Sequence, residues 1–369
     1  MKSKVYFYPS EIGKRRIGLA EKVLVGLKKL GSDFVNSGDR VAIKLSFGEE
    51  GNTAFLRHIY VKKVVDFVKE SGGKPFLTET STLYHGMRTD AIDHTTLAIL
   101  HGFGYAQVGA PIIMADGLAS EHNVNVEINL KHFKELKVGG VLKVTDALIS
   151  LAHFKGHLVA GFGGTIKNIG MGLVGRSSKQ RMHASSVRPE FKNRDCCTGC
   201  GVCADVCQFD AIEIVDGKAN FDYEKCQGCA DCIPACPQNC LKILWSEKPE
   251  NLGEKMVEGV YAVLKLVKKA IFVNFLLDIT PDCDCFSYSD NPIVPDLGIL
   301  FSRDPIAIDV ASCDLLKSVE GIPRSKIGRK GKKVDKIRAL HPEIDWFAHL
   351  KYGEEIGLGS TEYELIYLE

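Results

Sequence analysis

Apolar residues in the first half of the chain follow two alternating patterns. Short β-rich runs such as Val41-Ala-Ile-Lys-Leu-Ser-Phe and Lys74-Pro-Phe-Leu-Thr flank a longer stretch, residues 59–70, where Val61, Val64, Val65 and Val68 recur at i, i+3, i+4 and i+7. That spacing draws one apolar stripe down a helix, leaves Lys62, Lys63 and Lys69 off it, and stops at Gly72-Gly73. Residues 111–114 and 147–151 read as strands, the second preceded by another strand-like stretch at 137–145. Later in the chain, 258–270 reads as helix, 271–277 and 297–301 as buried strands, and 304–317 as a helix with Ile308, Ala311, Leu315 and Leu316 among its apolar residues. Strands alternating with helices argue for an α/β fold, a mostly parallel sheet flanked by helices.

One window breaks the alternation. Cys197-x2-Cys200-x2-Cys203-x3-Cys207 and Cys226-x2-Cys229-x2-Cys232-x3-Cys236-Pro237 are two copies of one pattern and take eight of the thirteen cysteines. This is the ligand spacing of a bacterial-type ferredoxin with two [4Fe-4S] clusters, in which the fourth cysteine of each run serves the other run's cluster. The expected sets are Cys197, Cys200, Cys203 with Cys236, and Cys226, Cys229, Cys232 with Cys207. The x2 gaps let a tight loop aim three thiolates at one cubane, and Gly199, Gly201 and Gly228 suit the positive φ such loops need. Zinc sites pair their cysteines across longer gaps, and disulfide frameworks belong to small secreted chains. Gln208 stands where the second run has proline, which leaves the ligands intact. Cys196 and Cys240 fall outside the register and read as packing residues, with an alternative cluster ligand as the second reading.

A chain of 369 residues is too long for a ferredoxin alone. Because α/β patterning resumes after the cysteines, the expected organisation is an α/β domain in two parts, 1–190 and 247–369, around a ferredoxin-like insertion at 191–246. Three domains in a row is the alternative. The balance of 47 basic and 46 acidic residues gives no overall field for a nucleic acid or a membrane surface. No run reaches the ~18 apolar residues of a membrane span, and the opening residues lack a secretory h-region. Thiols and oxygen-sensitive clusters together fit the cytoplasm.

Candidate chemistry outside the cysteine runs gathers where strands end, the place an α/β fold builds its sites. After the strand at 147–151 come His153, Lys155 and His157, then Gly161, Gly163, Gly164, Lys167 and Asn168. The histidines can ligate a metal or relay a proton, the lysines and Asn168 supply charge and donors, and the glycines let backbone N–H groups approach an anion. After 271–277, Asp282-Cys283-Asp284-Cys285 concentrates soft and hard ligands. After 41–45, Lys44, Glu49, Asn52 and Arg57 are the polar candidates, and Glu79, Thr80 and His85 follow 74–77. The pocket set is Lys44, Glu49, His153, Lys155, His157, Gly163, Gly164, Lys167, Asn168, Cys283 and Cys285. The basic stretch 324–338 reads as a solvated loop and helix start, with an anionic ligand or acidic partner as the alternative. It has no interleaved aromatics to stack bases, which argues against nucleic acid. Ile166 stands where a dinucleotide fingerprint beginning at Gly161 needs its third glycine.

Four stretches carry a resemblance: Gly156-His-Leu-Val-Ala-Gly-Phe-Gly-Gly-Thr-Ile-Lys-Asn-Ile-Gly-Met-Gly, Val41-Ala-Ile-Lys-Leu-Ser-Phe-Gly-Glu-Glu-Gly-Asn-Thr, Thr280-Pro-Asp-Cys-Asp-Cys and Asp304-Pro-Ile-Ala-Ile-Asp. Together they resemble the DUF362 family with its embedded ferredoxin segment, over nearly the whole chain. The resemblance implies an iron–sulfur architecture and names no reaction. Gly156-His157 through Lys167 is also similar to the His, Gly-Gly and Lys arrangement of lactate racemase-type nickel-pincer sites, but the rest of that signature is absent. The expected function is electron transfer through two [4Fe-4S] clusters, with a redox donor or acceptor protein as partner and a site on the α/β domain at the other end. The alternative is a module that binds a small molecule or metal, its clusters structural or sensory.

Overall fold

In a computed structural model that describes residues 2–13, 16–31, 33–184, 189–243 and 245–369, the chain builds one seven-stranded sheet. Its strands are β1 (Ser3–Pro9), β2 (Arg40–Lys44), β3 (Lys74–Thr78), β4 (Ala147–His153), β5 (Lys269–Leu276), β6 (Gly298–Ser302) and β7 (Tyr363–Tyr367), in the order β7-β1-β6-β5-β4-β2-β3. Only β6 runs against the others; the pairs β7·β1, β5·β4, β4·β2 and β2·β3 are parallel. Strands from before and after the cysteine runs thus share one sheet, with β4 against β5. The α/β class with a mostly parallel sheet is as the sequence leads one to expect.

Side-chain alternation divides the core between the two faces of the sheet. Ile271, Val273 and Phe275 of β5 join Val41, Ile43 and Leu77 beneath α1 (Leu19–Gly31) and α2 (His58–Glu70). The expected stripe Val61, Val64, Val65 and Val68 is the buried face of α2. Phe272 and Leu276 point the other way, under α3 (Thr165–Gly170), α5 (Pro249–Leu264) and α6 (Pro305–Lys317), while α4 (Arg176–His183) lies beside α5. Asn274, buried on that same face, donates to Asp309 (2.7 Å) and Ser312 (2.9 Å) of α6 and accepts from the Thr165 hydroxyl (2.8 Å). Asp309 in turn accepts the N–H groups of Thr165 (2.8 Å) and Ile166 (2.9 Å), so a carboxylate from α6 caps α3. Burial raises that carboxyl to about 6.

Several elements depart from their sequence patterns. The helix expected at 258–270 is Pro249–Leu264: a proline at N1 starts it early, and its expected last turn becomes the start of β5. Residues 111–114 form only a bridge, Leu77 with Ile112, at the sheet edge. The stretch 137–145 divides into a strand, Glu135–Gly139, and a 3-10 turn, Gly140–Val144. Cys196 and Cys240, expected as packing residues, are bonded to each other with Cα atoms 5.8 Å apart. Pairing of Glu190–Phe191 with Leu241–Lys242 closes the ends of the cysteine segment and brings the two together. No helix among the described residues is long and apolar enough to cross a membrane.

Candidate functional site

Because β2, β3, β4 and β5 are parallel, their carboxyl ends lie along one edge, and the loops that follow converge on a cleft of about 640 Å³. Of the pocket set, Lys44, Lys155, His157, Gly163, Gly164, Lys167, Asn168, Cys283 and Cys285 line it. Glu49 and His153 do not. Glu49 is buried beside Arg88 (3.5 Å). His153 turns both ring nitrogens to oxygen: Nδ1 to Asp284 (2.8 Å), Nε2 to the carbonyls of Leu277 (3.0 Å) and Asp278 (3.1 Å). It straps β4 to the loop after β5 and presents no lone pair to the cleft.

One side of the floor is a buried ionic layer. The Lys44 ammonium donates to Leu45 O (2.7 Å), Asn168 Oδ1 (3.0 Å) and Glu79 Oε1 (3.3 Å), so all three protons are used. Asn168 passes its own amide to Ser150 Oγ (2.9 Å) and Leu151 O (3.1 Å), stitching α3 to β4. Glu79 Oε2 meets His94 Nε2 at 3.1 Å. Burial lowers Lys44 to about 8 against the pull of Glu79, while Lys44 and Arg88 outweigh burial and hold the Glu79 carboxyl well below its usual value. Lys179, its ammonium on Thr80 Oγ1 (2.7 Å) and on the Ser81 carbonyl, is lowered by burial to about 7.

The other side holds the sulfur. The loop carrying Cys283 and Cys285 is seated by Gly156, whose N–H donates to Thr280 O (2.9 Å) and where a Cβ would stand 2.1 Å from Pro281 O. Asp284, between the cysteines, is anchored in the interior by His153 (2.8 Å) and Lys155 (2.9 Å). These partners outweigh burial and hold its carboxyl well below the ordinary value. Lys167 Nζ donates to Cys283 Sγ at 3.2 Å, and a ring nitrogen of His157 with the two sulfurs lies within a 4.8 Å circle. The hydrogen bond from Cys285, helped by Lys167 and Lys155, holds Cys283 well below its usual value against burial; the same bond raises Cys285. Burial pulls Lys167 down, but the two sulfurs outweigh it and hold it above the ordinary range. Burial and Lys167 keep His157 neutral.

Arg88, Lys179, His183, Tyr84, Trp245 and Met256 also line the cleft and were missed by the strand-end argument. Lys179 and His183 lie on α4 and Met256 on α5, helices that offer no loop signature. Burial lowers His183 to about 3. Arg88 sits in the loop after β3, four residues beyond Tyr84, and donates to Ser46 Oγ (3.3 Å) and the Tyr84 hydroxyl (3.2 Å). The basic stretch is partly structural: Lys326 reaches Asp282 (3.4 Å) and Lys336 is buried on Gly331 O (2.9 Å).

The cysteine runs enclose two further small cavities. Cys207, Cys226, Cys229 and Cys232 line one; Cys197, Cys200, Cys203 and Cys236 line the other. Gly199, Gly201 and Gly228 have φ of +69°, +84° and +65°. Backbone N–H groups of Ala219, Ala211 and Cys240 point at Cys197, Cys207 and Cys236, each at 3.4 Å. Leu83 links this segment to the cleft, since it lines the cleft and belongs to the apolar cluster that includes Cys203, Cys232 and Ile233. Arg176 fastens the same junction, donating to Asp231 (2.9 Å), Thr82 O (3.2 Å), Thr89 O (2.6 Å) and Ala119 O (3.1 Å).

A model of the DUF362 domain, described as a domain of unknown function, matches residues 41–314. The chain belongs to the DUF362 family. The DUF362 match spans all four strand-end loops and the cysteine runs. Curated relatives match shorter lengths: 45% identity over 49 residues with one component of the Na(+)-translocating ferredoxin:NAD(+) oxidoreductase complex of Acetobacterium woodii, covering 13% of this chain and 15% of that one. A ferredoxin of Pyrobaculum islandicum is 30% identical over 64 residues, 17% of this chain and 60% of its own. The chain therefore spans only part of these relatives, and most of the DUF362 protein lies outside those matches. Among solved structures, the lactate racemase apoprotein of Thermoanaerobacterium thermosaccharolyticum aligns with a TM-score of 0.42 at 10% identity, covering 87% of this chain and 58% of that one.

Proposed function

We propose that this DUF362 protein is an iron–sulfur electron-transfer protein. Its two cysteine quartets hold two [4Fe-4S] clusters, and its cleft holds the group with which electrons are exchanged. The observation that carries the reading is the grouping of the eight cysteines into two cavities, each with three thiols from one run and the fourth from the other. Four convergent thiols, backbone N–H groups aimed at sulfur and apolar walls suit a cubane cluster, which supplies one-electron steps when bound. The short matches to a ferredoxin and to a component of a ferredoxin-linked oxidoreductase support the same reading.

The protein's own part is placement. Leu83 and the Arg176 fork hold the segment 191–246, which we read as an insertion in the α/β domain, against the loop that walls the cleft. Exposed Cys200 puts one quartet near the surface, where a donor or acceptor protein can dock. Oxygen-sensitive clusters suit the cytoplasm. Anaerobic purification with iron and sulfide counting, followed by EPR after reduction, tests the proposal. About eight irons and two interacting spin systems are expected. Zinc in place of iron, with no reducible signal, would refute it.

A further inference from the structure

Two thiols in the cleft have no role in holding the clusters. Cys283 and Cys285 are two residues apart on a loop whose intervening Asp284 is tied into the interior by His153 and Lys155, so both sulfurs project to the same side, into the cleft. The Cys285 N–H donates to Cys283 Sγ (3.4 Å), Lys167 Nζ does so from 3.2 Å, and the sulfurs lie within 4.8 Å of each other. The trio with His157 has the composition of a thiophilic metal site, but its histidine is set otherwise. His157 Nδ1 accepts the N–H groups of Val159 (3.2 Å) and Ala160 (3.0 Å), which leaves the ring proton on Nε2. The neutral ring thus has one nitrogen taken up by backbone donors and the other protonated, so neither lone pair is free for a metal. An ammonium donating to one of a close pair of sulfurs provides the surroundings of a reactive thiol.

Building on the electron-transfer reading of this cleft, we infer that Cys283 and Cys285 form a dithiol–disulfide couple that reduces a low-molecular-weight organic disulfide. Cys283 is only 3% exposed, which keeps out the disulfide of a folded protein, while the cleft is large enough for a small molecule and has Leu83, Leu158, Met171, Trp245 and Met256 as apolar wall. The Cys283 thiolate attacks one sulfur of the substrate, the substrate S–S bond breaks, and the departing thiolate takes a proton. Cys285 then loses its proton and attacks Cys283 Sγ, closing the Cys283–Cys285 bond and releasing the second substrate thiol. One substrate disulfide becomes two thiols, and two protein thiols become one disulfide. Restoring the dithiol takes two electrons and two protons.

The test uses 2-hydroxyethyl disulfide as probe on the anaerobic full-length protein, with alkylation and mass spectrometry of the tryptic peptide 270–303. That peptide has Cys283 and Cys285 as its only cysteines, so the cluster ligands do not enter the signal. We expect the peptide to become two hydrogens lighter and to regain its dithiol mass with dithiothreitol. Cys285→Ser should stop at a probe adduct on Cys283. Cys283→Ser should form neither product. Lys167→Met should slow adduct formation at pH 7 roughly tenfold and move the pH profile toward that of an ordinary thiol, which carries only a few per cent thiolate there. An unchanged iron content certifies each variant as folded. A peptide that keeps both thiols under excess probe overturns the inference, as does one equivalent of zinc or nickel lost on Cys283→Ser. Either result leaves the iron and EPR test of the two clusters untouched.

Discussion

Lys44→Met removes the cation from the buried layer under the cleft and leaves a side chain of similar length. Glu79 loses its 3.3 Å partner, and Leu45 O and Asn168 Oδ1 lose their donor, all inside the protein. Breaking a buried pair by deleting one member costs ~3–5 kcal/mol. The low end applies because His94 and the field of Arg88 still serve Glu79. With an unfolding entropy of ~2.1 cal/mol/K per residue, a chain of 369 residues carries about 0.8 kcal/mol/K, so ~3 kcal/mol lowers Tm by about 4 °C. Adding Glu79→Gln should recover about half. The Gln carbonyl can still face His94 and the Phe47 N–H, where Oε2 stood, and no unpaired charge remains. Anaerobic scanning calorimetry of the two single variants and the double variant closes the cycle. A Tm unchanged in Lys44→Met, or a double variant no more stable than Lys44→Met alone, would refute the reasoning.

Three further outcomes follow from the geometry. Cys207→Ser should lower bound iron from about eight to about four while leaving the other cluster's EPR signal, because Cys207 lines the cavity of the second run's cysteines; loss of all iron or of none would break the crossed assignment. His349 is lowered by burial to about 4 in the folded protein, against ~6.5 unfolded, so its contribution is complete above pH 6.5 and is lost as pH falls toward 4. His349→Gln should therefore flatten the Tm–pH curve, the difference from the parent changing by about 2 kcal/mol between pH 7 and pH 5; parallel curves would contradict it. Gly156→Ala puts a methyl group 2.1 Å from Pro281 O, a backbone atom that must retreat, so the Cys283 loop should move and Cys283 alkylation should change at least several-fold while iron content stays constant.

What the sequence determined was local. The doubled cysteine spacing and the positive-φ glycines within it are legible because both lie within a few residues of one another, and the α2 stripe is legible because helical periodicity repeats within a dozen residues. Strand-end reasoning reached eleven of the cleft's residues, Glu79 and Thr80 among them, since a parallel sheet puts every carboxyl end on one edge. Beyond that range the tertiary structure decided. No spacing announces that Glu79 lies under Lys44, that Asp309 caps a helix more than a hundred residues earlier, or that Cys196 meets Cys240 through a two-residue pairing. His153 and His157 read alike in the chain, yet one is a buried strap and the other faces the sulfurs, because the loop after β5 folds back over the first and leaves the second at the cleft wall. Lys179, His183 and Arg88 entered the site only when sheet order brought the loop after β3 opposite α4. Contacts of that kind arise from packing between distant segments, which local periodicity does not encode.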